Sequence, residues 1–414
     1  MIRGSKALMK KPLKFIVFLI WAFILLFPML AVNEGQFVWD RLLKVMGVLA
    51  FGGILVMAYN AAMKGRSLKS AMFKGGLPFK VPKKVMIWTG IVIVLILPWV
   101  TDNYAKDVAI NVLIYIALGL GLNIVVGLAG LLDLGYIAFY AVGAYTYALL
   151  NTQYGIPFWV ALPMGCLISA LAGTVIGYPT LKMRGDYLAI VTLGFGEIIR
   201  IVLNNWDKVT QGPNGVLGIK APSIYYPAIG DGGFQFAQLY MKNLTWLYYL
   251  ILVLALITMA AVNRLNYSRI GRAWMAVRED ETAAELTGIH TTRMKLFAYI
   301  LGAIFAGVAG AFFAAKVRYV NPSSFVFLES ALVLCIVVLG GMGSIPGIVL
   351  GAAAIIVLPE MFRGLELYRM AAFGGAMTFM MVFRPEGLIP AKHKRPETDV
   401  GDVPLEEGRG RAES

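Results

Sequence analysis

The sequence is poor in charge. Of its 414 residues only 14% are Asp, Glu, Lys or Arg, while 59% are hydrophobic. A soluble domain carries about 25% charged and about 45–50% apolar residues, so a water-soluble globular protein is excluded. Cysteine is nearly absent: Cys166 and Cys335 both fall in apolar stretches, which argues against a disulfide framework or a thiolate metal cluster. The two histidines, His290 and His393, stand in no HExxH-like setting, so no metal site is expected. The chain also lacks a GxxxxGK[ST] phosphate loop, a GxSxG elbow, paired metal-binding carboxylates and a His–Asp–Ser constellation. With no catalytic cluster and no cofactor motif, a membrane enzyme is disfavoured, and transport or a structural membrane role becomes the default.

What the chain does have is long apolar runs and 45 glycines, a residue common where membrane helices pack closely. Runs of spanning length fall at 15–32, 43–62, 86–100, 108–130, 134–151, 156–177, 187–203, 244–262, 296–315, 325–341, 345–360 and 371–384. Gly and Pro interrupt 187–203, 325–341 and 345–360, so half-helices or re-entrant segments are expected among ten to twelve crossings. The fold class expected is therefore all-α, a polytopic helical membrane protein. The first run follows basic residues as in a signal peptide, but no small-residue cleavage site follows it, and a retained anchor is the better reading.

The formal net charge of +14 would suggest nucleic acid in a soluble protein. Here it reads as topology. Arg3, Lys6, Lys10, Lys11 and Lys14 precede the first run, and Lys64, Arg66, Lys69, Lys74, Lys80, Lys83 and Lys84 fill the next connection without an acidic residue. The positive-inside rule makes both cytoplasmic, and the same count places Lys182, Arg184, the 263–295 segment and Lys392, Lys394 and Arg395 inside, with both termini. Membrane lipids, anionic ones in particular, are the expected partners of this charge, and no nucleic acid is. Segment 204–243 falls outside; its six glycines, three prolines and many aromatics fit an ordered docking surface, or a merely packed loop. The polar tail 391–414 is expected to be disordered.

Ion-coupled carriers keep ionisable residues inside their spans. The candidates are Asp133, Glu197, Arg200, Glu329 and Glu360, most of them near segment ends. Glu197 is the most conspicuous, although an i,i+3 pair with Arg200 accounts for it locally. In the cytoplasmic segment, Asp280 reads as an N-cap, Glu281 as a first-turn acid and Gly288 as a C′ residue. They bound a helix of about two turns with few apolar residues, Ala284 and Leu286, suited to a groove on another protein or to lying at the membrane surface. In the following run, Ala303 with Gly307 and Ala306 with Gly310 give small-xxx-small spacing for close helix packing.

Residues 271–310 resemble the cytoplasmic loop and next helix of ABC-importer permeases for branched-chain amino acids: Gly271-Arg272, Arg278-Glu279-Asp280, Ala283-Ala284 and Gly288-Ile289 precede a small-residue-rich span. Three more stretches are similar to that family: Gly127-Leu128-Ala129-Gly130-Leu131-Leu132-Asp133-Leu134-Gly135 with Ala138-Phe139 and Gly143-Ala144-Tyr145; Thr210-Gln211-Gly212-Pro213-Asn214-Gly215; and Val338-Leu339-Gly340-Gly341-Met342-Gly343-Ser344-Ile345 with Gly347 and Gly351. They keep the family's order over 108–390. The segment 1–100, with its extra spans and basic loop, resembles the LivM-type rather than the shorter LivH-type subunit, followed by a permease domain over 101–390. Asp133 departs from the pattern, which has a polar residue such as Ser there. The two Gly-rich breaks, 127–135 and 339–347, share a texture that hints at an internal repeat.

The resemblance implies an ATP-driven importer. It implies a LivH-type permease partner, two cytoplasmic ABC ATPases, and a periplasmic binding protein delivering Leu, Ile or Val at the inner membrane. ATP hydrolysis would sit on the separate subunits, so this chain is not expected to be an enzyme. The ATPases would engage Glu279, Asp280, Glu281, Ala283, Ala284, Glu285, Leu286 and Gly288. Candidates for the translocation path are Asp133, Gly135, Tyr145, Thr192, Glu197, Gly340, Gly341 and Ser344. A urea or short-amide permease of the same family is the alternative; an ion-coupled secondary transporter, or a structural subunit without a path, is the reading from another class.

Overall fold

The computed structural model describes residues 94–361 apart from 181, 182, 184, 231, 232 and 242, together with 32, 33, 36, 37, 374, 378 and 387–389. The runs expected at 15–32, 43–62 and 371–384, the basic loop 63–84 and the tail 391–414 lie outside the described residues, as does most of 86–100.

The apolar runs fold as helices. In chain order these are α1 (Asn103–Leu122, prolonged by a π-helical turn, Asn123–Leu128), α2 (Ile137–Tyr154), α3 (Phe158–Thr180) and α4 (Asp186–Asn205). After them come α5 (Leu244–Asn266), α6 (Arg269–Glu279), α7 (Glu281–Leu286), α8 (Thr291–Val317), α9 (Phe327–Gly340) and α10 (Ile345–Met361). Six helices among the described residues are long and apolar enough to cross a membrane. The run at 187–203, expected to be short or broken, is a continuous 20-residue helix, because its two glycines lie inside a helix whose apolar neighbours keep it regular. The break expected near 341 is present: α9 stops after 14 residues, and Gly341 and Gly343 take positive φ before α10 begins.

Helix α8 is the hub, packed against α2, α3 and α1. Its small residues make this possible. A Cβ on Gly310 would collide with the carbonyl of Tyr140, and one on Gly143 would collide with the backbone of Gly307. Across the other face, a Cβ on Gly173 would lie 2.7 Å from the Cβ of Ala303, and one on Gly307 would lie 2.5 Å from the Ser169 Oγ. The expected small-xxx-small pairs therefore allow backbone to touch backbone, where dispersion replaces the hydrophobic effect that lipid cannot supply. Ala303, Ala306, Ala309, Ala311, Phe312, Ala314 and Ala315 are all fully buried along it.

The two ends of the bundle differ. At one end lie α6 and α7, with α6 fastened to α8 by the Trp274 Nε1 bond to the Met294 carbonyl, 2.8 Å. At the other end lie β1 (Val216–Leu217), paired antiparallel with β4 (Tyr319–Val320), and the hairpin β2 (Ser223–Gly230)–β3 (Gly233–Tyr240). The described residues of segment 204–243 are thus tied to the spans. The Tyr147 hydroxyl donates to the Lys220 carbonyl at 2.7 Å and the Trp159 indole to the Ser223 carbonyl at 2.9 Å. Near that end Lys316 bridges Asp107 at 2.8 Å and Asn111 at 2.7 Å, joining α8 to α1.

Candidate functional site

The residues between α5 and α8 form two capped helices. Ser268 accepts from the Gly271 amide and starts α6. Asp280 then accepts from the amides of Thr282, 2.8 Å, and Ala283, 3.0 Å, so it closes the first turn of α7 as an N-cap. At the other end the Gly288 amide bonds the Glu285 carbonyl and the Ile289 amide the Ala284 carbonyl. These are the two bonds of a Schellman motif, with Gly288 at φ +86° as C′. So short a helix is marginal alone; its anchors are Ala284, buried, and the ion pair of Glu281 with the buried Lys295 of α8 at 2.6 Å. Glu279, Asp280, Ala283, Glu285, Leu286 and Gly288 remain exposed, Leu286 to 85%. Leu286 is thus a large apolar side chain held out into solvent by a helix that is fixed at both ends.

This element is joined to the spans by Arg278, which the sequence offers as a cytoplasmic charge and as the first residue of the Arg278-Glu279-Asp280 cluster. The Arg278 guanidinium donates to the carbonyl of Gly127, and its aliphatic stem covers Gly130. The cation therefore sits on the carboxyl end of the π-helical turn, where free carbonyls collect negative potential. A charge-assisted bond of this kind contributes about 1.5–3 kcal/mol.

The two Gly-rich breaks meet at the same turn. Asn123 Oδ1 accepts from the Gly343 amide at 2.8 Å, and Gly127 leaves room for that amide. Asn123 was missed from sequence; the signal was a lone amide in an otherwise apolar run. Gly340 and Gly341 lie in the second break, with Gly340 packed on Gly347, and the buried Ser344 accepts from the Gly347 amide at 3.3 Å.

Asp133 and Gly135 lie in the first break. Asp133 is 1% exposed; its Oδ1 accepts from the Gly135 amide at 2.9 Å, and Oδ2 is buried with no partner among the described residues. Thr192, also buried, accepts from the Leu134 amide at 3.1 Å, and Gly135 lies directly on the Thr192 carbonyl. Asp133, Gly135 and Thr192 are therefore one cluster joining the break to α4. The first amide of α2 is satisfied from a distance: Ile137 donates to the Ser330 Oγ of α9 at 3.1 Å. Tyr145 is apart from them, buried beside Phe325 at 6.2 Å between ring centres, its hydroxyl without a partner among the described residues.

Glu197 bonds Arg200, with Nε to Oε1 at 2.9 Å. Their side chains are 39% and 31% exposed, in a span of which only 17% is buried, against 78% for α1. An i,i+3 pair adds about 0.2–0.5 kcal/mol to a helix, whereas each charge at the centre of a span costs about 2.5–3.5 kcal/mol. Helix stability alone does not explain this pair.

Six helices of spanning length, small-residue packing and broken helices that meet inside the bundle define a class, a multi-pass helical membrane protein. A family profile described as the permease component of branched-chain amino acid transport systems matches residues 104–383. The chain is 46% identical over 321 residues to the high-affinity branched-chain amino acid transport system permease protein LivM of Salmonella typhimurium, spanning 75% of this chain and 76% of that one. It is 42% identical over 363 residues to LivM of Escherichia coli K12, 85% of each. LivH of Salmonella typhimurium is 26% identical over 252 residues, 57% of this chain and 78% of that one. The chain belongs to the branched-chain amino acid transport permease family. No solved structure matches it.

Proposed function

We propose that the chain is the LivM-type permease subunit of an ATP-driven importer that carries leucine, isoleucine and valine across the inner membrane. The observation that supports this best is the α6–α7 element: capped at both ends, exposed at Leu286, and bonded through Arg278 to the Gly127 carbonyl at the break in the first described span. Such an element passes a push from a cytoplasmic partner to the bundle. The relatives named LivM and LivH support pairing with a homologous LivH-type permease. In this reading two ABC ATPases engage Glu279–Leu286 and Gly288 from the cytoplasm, and a periplasmic binding protein docks near the β-hairpin. Both termini are then cytoplasmic, residues 101–390 form the permease domain, and 1–100 adds an amino-terminal extension with a basic cytoplasmic loop. The path runs between the two permeases, with Asp133, Gly135 and Thr192 at one break and Gly340, Gly341 and Ser344 at the other.

Alternating access needs partners that favour one state over the other, because equal affinity for both shifts nothing. ATP-driven closure of an ATPase pair supplies that difference through α7. Co-purification of the tagged chain with its partners, followed by ATP-dependent uptake of labelled leucine in proteoliposomes, tests the reading. A stable complex with a soluble ATPase and leucine uptake supports it. Uptake by the chain alone, driven by an ion gradient, contradicts it.

A further inference from the structure

Several ionisable side chains among the described residues of the bundle are held by distant partners or shut away from solvent. Glu329 receives the Tyr115 hydroxyl, Lys316 holds Asp107 and Asn111, Lys295 holds Glu281, and Asp133 is closed off from solvent. Glu197 and Arg200 differ in pairing with each other along one helix and in being partly exposed near the middle of α4. At about 1.5 Å rise per residue, Glu197 stands about 15 Å from Tyr187 and about 12 Å from Asn205. Hydrocarbon is the wrong surrounding for either charge. One turn away on the same helix, Gly194 has no atom of this chain within 4 Å of where a Cβ would be, so this chain leaves the space beside the pair unfilled.

We infer that the Glu197–Arg200 pair contacts the two charged ends of a free α-amino acid in transit, Glu197 taking the ammonium and Arg200 the carboxylate. This inference rests on the importer reading above. A zwitterion entering an apolar path loses hydration at two opposite charges a few atoms apart. The pair offers the complementary charges at i,i+3, with a planar guanidinium suited to a bidentate carboxylate contact. Both pair and solute are net neutral, so the exchange of one ion pair for two adds no net charge to the span. The aliphatic side chain lies toward the unfilled surface at Gly194.

The test uses the complete complex with its binding protein in proteoliposomes, comparing the unaltered protein with Glu197→Gln, Arg200→Gln and the double variant. Expected is a fall of about tenfold or more in leucine imported per ATP hydrolysed in all three, with subunit assembly and binding-protein-stimulated ATP hydrolysis retained. A double variant that imports leucine within about twofold of the unaltered complex overturns the inference, since the pair then serves the helix alone. Loss of the second permease from the purified complex also overturns it, since the pair is then interface glue. Absence of ATP-dependent leucine uptake by the unaltered complex overturns the importer reading itself, and the inference with it.

Discussion

Arg278, one residue from the end of α6, donates its guanidinium to the carbonyl oxygen of Gly127, 151 residues away in the chain. The contact ties the exposed α6–α7 element to the place where the first described span loosens into a π-helical turn, and Asn123 of that turn holds the second break through the Gly343 amide. Two side chains, Arg278 and Asn123, thus link α6 to both breaks.

Arg278→Ala removes a charged donor and leaves a carbonyl unpaired. Because one such bond contributes about 1.5–3 kcal/mol, the expected result is a lower melting temperature of the purified complex and a loss of transport of about tenfold or more. Arg278→Lys keeps the charge and should recover part of the stability. Melting curves and uptake on the same preparation check both; equal uptake by Arg278→Ala removes Arg278 from the coupling route.

The surface and the anchor of α7 should separate by mutation. Leu286→Glu changes a side chain that is 85% exposed, so the subunit should melt as before while the ATPase proposed to engage α7 should no longer co-purify. Ala284→Glu instead buries a charge where the native side chain is 3% exposed, and should destabilise the α7–α8 junction itself. Pull-down and thermal unfolding distinguish the two.

The hub predicts a steric limit. Gly310 lies on the Tyr140 carbonyl, so Gly310→Val must push α2 and α8 apart. Overpacking of this kind costs about 1–3 kcal/mol or more, and the variant should show reduced folded yield and a lower melting temperature. Gly194→Ala, on an open surface, should be stable. Comparable stability of the two would contradict the packing described.

At Asp133, only Oδ1 is used within the cluster. Asp133→Asn retains that acceptor and should leave the melting temperature unchanged, whereas Asp133→Ala frees the Gly135 amide and should cost about 1–3 kcal/mol. Retained uptake by the Asn variant assigns Asp133 to holding the break; lost uptake with normal stability assigns its charge to the path.

Much of the bundle was legible because spans are written locally: apolar length and small-residue spacing gave the helices from residue 103 on, and Asp280 with Gly288 gave both ends of α7. What was not legible is what depends on distant partners. Arg278 read as one more cytoplasmic charge, since nothing local points it at Gly127. Asn123 and Ser330 looked like isolated polar residues until the chain brought Gly343 and Ile137 to them. Tyr145, singled out beside Gly143, packs on Phe325 rather than joining Asp133 and Thr192. Helix α6 was hard to read for the opposite reason: its polar face and its Ser268 cap are ordinary.

The central claim is that this chain passes branched-chain amino acids by ATP-driven coupling to separate subunits. The most direct measurement is uptake of labelled leucine and labelled urea by proteoliposomes holding the chain with its co-purified permease, ATPases and binding protein. The account predicts leucine accumulation that requires ATP and fails when the ATPases are stripped away, with no accumulation of urea. Accumulation of urea instead of leucine, or leucine uptake that persists without the ATPases, would contradict it.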